Sequence, residues 1–219
     1  MRIGASVTIG IALLLGGSLW TSKVMAGRQA NMAHVHMGHV LDKFPGTPDQ
    51  QGLLTAALAE AKVAAQHAAF AAKSPDNLDA MKLHAGHVIH AIDPTVEMKG
   101  PGIGYGAKKA SEGVAQHIDM AGKFNGASAN VKTHSAHVSA AATSTATRAA
   151  EALAVAQKVR AASSASDAAT LIAELQKLTE QLTAGADANG DGRVGWDAPE
   201  GGLQQAEQHM QLMKKGEGL

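Results

Sequence analysis

Nine of the eleven histidines of this 219-residue chain fall into one recurring pattern. Gln66-His67 is followed by Lys73, Lys82, His84, His87 and Val88. The same residue types return fifty positions later as Gln116-His117, Lys123, Lys132, His134, His137 and Val138. Pieces of a third copy stand towards the two ends: His36-x-x-His39-Val40, and Gln208-His209 with Lys215. Imidazole titrates near neutrality and is the commonest metal ligand, so a histidine set copied in register points to ligand binding rather than to composition. Three neutral imidazoles about 2 Å from an ion form a sufficient ligand set for Cu(II), Zn(II), Ni(II) or Co(II). Copper binds most tightly at an unselective nitrogen site.

The spacing indicates how the rings would meet. Residues three apart share a helix face, so His84 and His87 point the same way, as do His134 with His137 and His36 with His39. A hairpin centred near Pro75 sets His67 opposite His84, and one centred near Asn125 sets His117 opposite His134. His209 would then complete a third cluster beside His36 and His39, tying the two ends of the chain together. His90 extends the His84–His87 row by three more residues, but its repeat partner is Ala140, which makes it an accessory ligand at most. Met81 and Met120 offer thioethers near His84 and His117, yet Val131 and Phe70 replace them in the other copy, so both read as core. His34, outside the repeat, reads as an ordinary satisfied side chain. The lysine six residues after each Gln-His marks a helix end, where a cation suits the dipole. The small residues inside His-x-x-His (Gly38, Gly86, Ala136) would allow close helix packing.

Two other readings use the same nine histidines. Paired imidazoles could hold haem b non-covalently for electron transfer, with lysines meeting the propionates and the cofactor filling a core short of bulk. Three histidines per hairpin do not pair off, so such haems would bridge hairpins. Alternatively, the histidines could sense pH in a structural or interaction module.

A second motif lies near the C-terminus. Asp187-x-Asn189-x-Asp191-Gly192-x-Val194 matches the first two-thirds of an EF-hand calcium loop, with Arg193 offering its backbone carbonyl at position seven. Position twelve is Ala198 rather than Glu, which leaves Asp197 or Glu200 as the substitute carboxylate for Ca2+ in a loop bent by Pro199.

The elements that must position these groups are helices. Apolar periodicity of 3.6 residues places them over about 29–41, 52–73, 77–92, 107–123, 127–162 and 167–183, with a last helix carrying His209. Asp167 is a candidate N-cap, and the Thr143–Thr147 stretch weakens the long fifth helix. Pro45–Asp49, Ser74-Pro75-Asp76, Asp93-Pro94 and Asn125-Gly126 separate them. Short turns favour an all-α, antiparallel up-and-down bundle. The glycine-rich stretch Lys99–Gly106 is not a dinucleotide loop, because no strand precedes it. Apolar residues make up 45% of the chain but aromatics only 3%, so closely approaching helices or a non-protein group must complete the core.

Residues 1–26 read as a secretory signal: Arg2, an apolar run from Ala5 to Trp20, then Val24-Met25-Ala26. Residues 27–219 then form one exported bundle, including the 187–200 loop, with no membrane span after cleavage and a periplasmic or secreted location. Without Arg2 and Lys23, 17 basic residues face 19 acidic ones, and no basic stripe invites nucleic acid. The absence of cysteine excludes a lipoprotein, disulfides and covalent haem. There is no HExxH, no Glu-x-x-His and no Gly-x-Ser-x-Gly, so a binding role is expected rather than an enzyme.

The stretch from Ala65-Gln66-His67 to Leu83-His84-Ala85-Gly86-His87-Val88-Ile89-His90-Ala91 resembles the periplasmic small metal-binding proteins. That resemblance implies a His-rich helical bundle that handles copper and other divalent metals, with His67, His84, His87 and His90 as ligands. The combined expectation is sequestration or delivery of transition metal, copper foremost with Zn or Ni possible, and exchange with a periplasmic redox or metal-trafficking partner.

Overall fold

The computed structural model describes residues 32–219. The secretory-signal expectation, and the start of the helix expected at 29, lie outside these residues. Seven α-helices are described: α1 (32–41), α2 (Leu53–Ala72), α3 (Leu78–Ile92), α4 (Ala107–Lys123), α5 (Ala129–Ala161), α6 (Ala165–Ala184) and α7 (Leu203–Glu217). A single 3₁₀ turn, Pro48–Gln50, joins α1 to α2. No strand occurs among the described residues, and no described helix is long and apolar enough to cross a membrane.

The bundle is organised around α5, which packs against α3, α4, α6 and α7, while α2 packs against α3, α4 and α6. Helix α5 runs unbroken through Thr143–Thr147. There Ser144 and Thr145 donate their hydroxyls back to the carbonyls of Ala140 and Ala141, so these polar side chains are satisfied without leaving the helix. The α6 N-cap is Ser164 rather than Asp167: the Ser164 hydroxyl accepts from the Asp167 amide, and Asp167 lies in the first turn, where its charge suits the dipole.

Alanine gives the core its close helix approach, and methionine rather than aromatic residues supplies much of its bulk. Met37, Met81, Met210 and Met213 are all fully buried beside Leu53, Ile118 and Leu203. Unbranched thioether side chains fill irregular gaps well.

The fifty-residue repeat is visible as a repeated burial pattern. In the three His-x-x-His-Val helices, Ala33, Met81 and Val131 are buried, as are Met37, Ala85 and Ser135, and then Val40, Val88 and Val138. In the three Gln-His helices, the equivalent buried sets are Ala64, Val114 and Ala206, then Ala68, Ile118 and Met210, then Ala71, Ala121 and Met213. Each histidine falls beside these stripes, at the margin of the core and half-buried. The lysine six residues after each Gln-His does mark a helix end: Lys73 is the C-cap of α2, Lys123 the last residue of α4, and Lys215 lies in the last turn of α7.

The glycine-rich loop before α4 does meet an anion, and the chain itself supplies it. Glu60 of α2 is fully buried, and its Oε1 accepts from the amides of Tyr105 (2.8 Å) and Gly106 (3.1 Å) at the α4 N-terminus. A carboxylate is favourable at a helix N-terminus. Gly102, with φ +124°, is needed there because a Cβ would strike Glu60 Oε2.

Candidate metal centres

Three groups of three histidines converge: His36, His39 and His117; His67, His84 and His87; His134, His137 and His209. Within each group the ligand atoms lie within 4.8 Å of one another. Each group takes two rings from a His-x-x-His helix and one from a Gln-His helix. In the first site, His117 Nδ1 lies 3.1 Å from His36 Nδ1 and 3.2 Å from His39 Nδ1. In the second, His67 Nδ1 lies 3.1 Å from His84 Nδ1 and 3.2 Å from His87 Nδ1. In the third, His209 Nδ1 lies 3.0 Å from His134 Nδ1 and 3.3 Å from His137 Nδ1.

Only the second grouping follows the expected hairpin. His117 does not join His134 and His137, and His209 does not join His36 and His39. Helix α4 meets α5 through another face. Gly122 of α4 abuts Ser135 of α5, and the Ser139 hydroxyl donates to the Ala115 carbonyl at 3.5 Å. His117, five residues before Gly122 and so roughly 140° away around the helix, meets His36 and His39 of α1 instead. His209 on α7 then fills the place beside His134 and His137. The ends of the described chain are still tied together, by different residues: His34 Nε2 meets Glu217 Oε2 at 3.0 Å and Lys214 meets Asp42 at 4.0 Å.

Three converging Nδ1 atoms are an awkward arrangement for imidazoles alone. A neutral ring carries one N–H and one lone pair, so the central ring cannot make good hydrogen bonds to both neighbours. A cation satisfies all three lone pairs at once. An ion about 2.0–2.1 Å from each nitrogen spaces them roughly 3.3–3.4 Å apart on a face of a tetrahedron and roughly 2.8–3.0 Å apart on a face of an octahedron, and the Nδ1 distances of 3.0–3.3 Å lie between the two. The residues present fit such an ion.

The electrostatics prepare the lone pairs. His67 is pushed down to about 4 by burial and then by the neighbouring His87 and His84. His209 is likewise pushed down to about 4, by burial and then by His137 and His134. Burial lowers His117, with His39 and His36 adding to it. It also lowers His36 beside His39, and His137 beside His134. His84 is lowered by burial alone; His87 is lowered by burial, His84 and His90, with Glu97 opposing. These rings are therefore neutral near pH 7, the form that binds metal.

Each site has one aromatic neighbour. Phe44 packs edge-on to His117 and His39, with ring centroids 5.1 and 5.6 Å apart. Phe70 meets His67 and His84 at 5.3 and 5.5 Å. Trp196 stacks on His137 at 3.7 Å with planes 22° apart, and lies 6.2 Å from His209. Sequence reasoning missed all three as site residues. The available signal was their scarcity: with only six aromatics in the chain, Phe70 three residues after His67 was worth attention.

Several expected residues stand apart from the triads. His90 is buried and donates Nδ1–H to the Glu97 carbonyl at 2.7 Å, and it belongs to none of the three groups. Met81 is buried in the core, as expected, whereas Met120, read as core from the sequence, is exposed: it lies off the buried stripe of α4 formed by Val114, Ile118 and Ala121. Of the small residues inside His-x-x-His, Gly86 makes a close contact, with the Arg160 guanidinium against it, whereas a Cβ at Gly38 would meet Asp42 only at an ordinary 3.8 Å and Ala136 is exposed.

The 187–200 loop folds around its own carboxylates. Asp187 accepts from the amides of Gly190, Asp191 and Gly192; Asn189 accepts from Asp191; Asp191 accepts from Arg193. Buried Glu200 accepts from the amides of Asn189 and Gly195. Asp187, Asp191 and Glu200 are not among the convergent groups of the described residues. What the loop does carry is Trp196. Buried Arg148 of α5 fixes the loop's exit by donating to the carbonyls of Gln181, Pro199, Glu200 and Gly201.

No protein-family model matches this chain, and neither a curated protein nor a solved structure matches it.

Proposed function

We propose that this protein is an exported carrier of transition-metal ions, holding one ion at each of three histidine triads for sequestration or delivery. The observation that carries this reading is the threefold convergence of Nδ1 atoms at 3.0–3.3 Å. Copper is the favoured cargo, because neutral nitrogen donors follow the order of divalent affinities that peaks at Cu(II); Zn and Ni come next.

Carriage is favoured over a permanent structural ion by what surrounds the rings. A tightly held ion has ligating histidines whose second nitrogen donates to a carboxylate or carbonyl. Among the described residues no protein acceptor is hydrogen-bonded to Nε2 of the nine triad histidines. The one carboxylate that acts on a triad ring is Glu97 beside His87, and it is paired with Arg160 at 3.2 Å. Half-exposed, weakly buttressed rings suit an ion that must leave again. An exchange partner in the exported compartment, and kinship with the periplasmic small metal-binding proteins, belong to the same reading.

Haem b is the competing ligand. Axial imidazoles approach iron from opposite sides of the macrocycle, whereas each triad here encloses a point. The depressed titration of seven of the triad rings also argues against a sensor working at neutral pH. Calcium at the 187–200 loop remains a secondary part of the proposal, supported by the ordered turns at Asp187, Asn189 and Asp191. Asp187→Ala with Asp191→Ala should remove any calcium-dependent rise in melting temperature.

The deciding experiment is metal and pigment analysis of protein purified from its native compartment, with titration of the metal-free form. Three equivalents of copper bound at micromolar affinity or tighter are expected. A Soret band would move haem to first place, and failure to take up Cu, Zn or Ni would end the reading.

A further inference from the structure

The three sites share their ligands but not their surroundings, and the third differs most. We propose that Trp196 is a positioning and specificity-determining residue that makes the His134–His137–His209 site the tightest of the three, and the first to fill with copper. The inference rests on the metal-carrier reading of the triads.

The indole lies nearly parallel to the His137 imidazole, 3.7 Å between centroids and 22° between planes. Face-to-face contact of that kind removes the ring's freedom to rotate away, so His137 is held with Nδ1 directed at His209 before an ion arrives. Preorganisation of this sort raises affinity by lowering the ordering cost of binding. The corresponding aromatics of the other sites do not stack on a face. Phe44 meets His39 at 73° and His117 at 66°, and Phe70 meets His67 at 89° and His84 at 54° with centroids 5.5 Å apart.

The anchoring of the loop fits this role. Trp196 is only partly covered, at 36% exposure, and an indole on a slack loop would not hold its place. Here Glu200 grips the amides of Asn189 and Gly195 on either side of the loop, and Arg148 binds the carbonyls of Pro199, Glu200 and Gly201. Neither Glu200 nor Arg148 touches the triad; both act through the placement of Trp196.

The test uses the full chain carrying Trp20→Phe, which leaves Trp196 as the single tryptophan of two. With His67→Ala and His117→Ala added, only the third site remains. Its copper affinity is measured by competition with a chromophoric chelator, in parallel with Trp196→Ala and Trp196→Phe. Trp196→Ala should still bind one equivalent, about three- to tenfold more weakly, and Trp196→Phe should recover part of the loss. In the three-site Trp20→Phe protein, Trp196 emission should be quenched by the first equivalent of Cu(II), with little further change. Equal affinity for Trp196→Ala and its parent would overturn the proposal, as would quenching that waits for the second or third equivalent. If the single-site parent binds no copper, the carrier reading has failed instead. Because a collapsed loop could also weaken binding, the rescue by Phe is decisive: a Phe variant as weak as Ala would assign the effect to folding and sink the proposal.

Discussion

The second triad and the other two are built from the same residues over very different distances along the chain. His67 reaches its partners across 17 and 20 residues, around a single turn. His117 reaches His36 and His39 across 81 and 78, and His209 reaches His134 and His137 across 75 and 72. The second site needs one hairpin; the first and third need the bundle assembled. An identical motif can thus be completed locally or at long range, and what decides is which face of the Gln-His helix its neighbours leave free.

The largest effect should come from pairing substitutions by site. His117→Ala should remove one bound copper of three. Adding His36→Ala should remove no further ion, because both belong to the first site, while adding His134→Ala should remove a second. If His117 and His134 shared an ion, the two double variants would exchange outcomes. Native mass spectrometry of the copper-loaded proteins distinguishes them. At a free metal concentration about 100-fold above Kd, each lost site should also forfeit about 2.7 kcal/mol of metal-dependent stability.

Sequence reasoning identified the nine histidines, the helices and the second site, because each depends on short-range spacing. It failed on the partners of His117 and His209. Nothing local separates the hairpin around Pro75 from that around Asn125: the histidines are in the same register about both turns. The difference lies in which neighbour reaches the histidine: α1 meets His117, while α4 approaches α5 on another face, where Gly122 abuts Ser135. The equivalent pair in the first hairpin is Ala72 and Ala85. That substitution is legible, but its consequence is a packing outcome that depends on α1 being available. Trp196 was illegible for a similar reason, since only tertiary folding brings a loop indole onto a ring of α5.

The glycine itself offers the next test. A Cβ at position 122 would press on the Ser135 hydroxyl and lie 2.9 Å from its Cβ. Gly122→Ala should therefore destabilise the metal-free protein by about 1–3 kcal/mol. Gly122→Ala with Ser135→Ala reproduces the Ala72–Ala85 pair of the other hairpin and should recover part of that loss in chemical denaturation. Full tolerance of Gly122→Ala would show that the packing of α4 on α5 does not depend on close approach there.

Acidity should act on the second and third sites through their central rings. His67 and His209 titrate near 4 in the folded protein, against an ordinary histidine value of 6.5. Between those values the unfolded chain binds more protons than the folded one, so stability must fall as pH falls. The metal-free melting temperature should be flat above about pH 7 and decline from about 6.5 to 4. His67→Gln and His209→Gln should each flatten the decline. The effect should be modest, because the rings are half-exposed and water screens them. An unchanged slope in both variants would separate these histidines from the acid response.

The smallest effect tests whether the first site's long reach has a cost. Helix α1 is held by Ala33, Met37 and Val40, and by the contact of His34 with Glu217 at 3.0 Å. Burial pushes the Glu217 carboxyl up, but hydrogen bonds from Ser128, His34 and Asn130 hold it below the usual range. An exposed or half-exposed pair of this kind contributes about 0.2–1 kcal/mol. His34→Ala should therefore barely change the melting temperature, yet it loosens the helix that carries His36 and His39. Copper affinity should fall slightly at the first site and stay unchanged at the second, whose three ligands are held by α2 and α3. Equal weakening at both would mean that α1 is not a separately tethered element, and the contrast between local and long-range sites would lose its energetic basis.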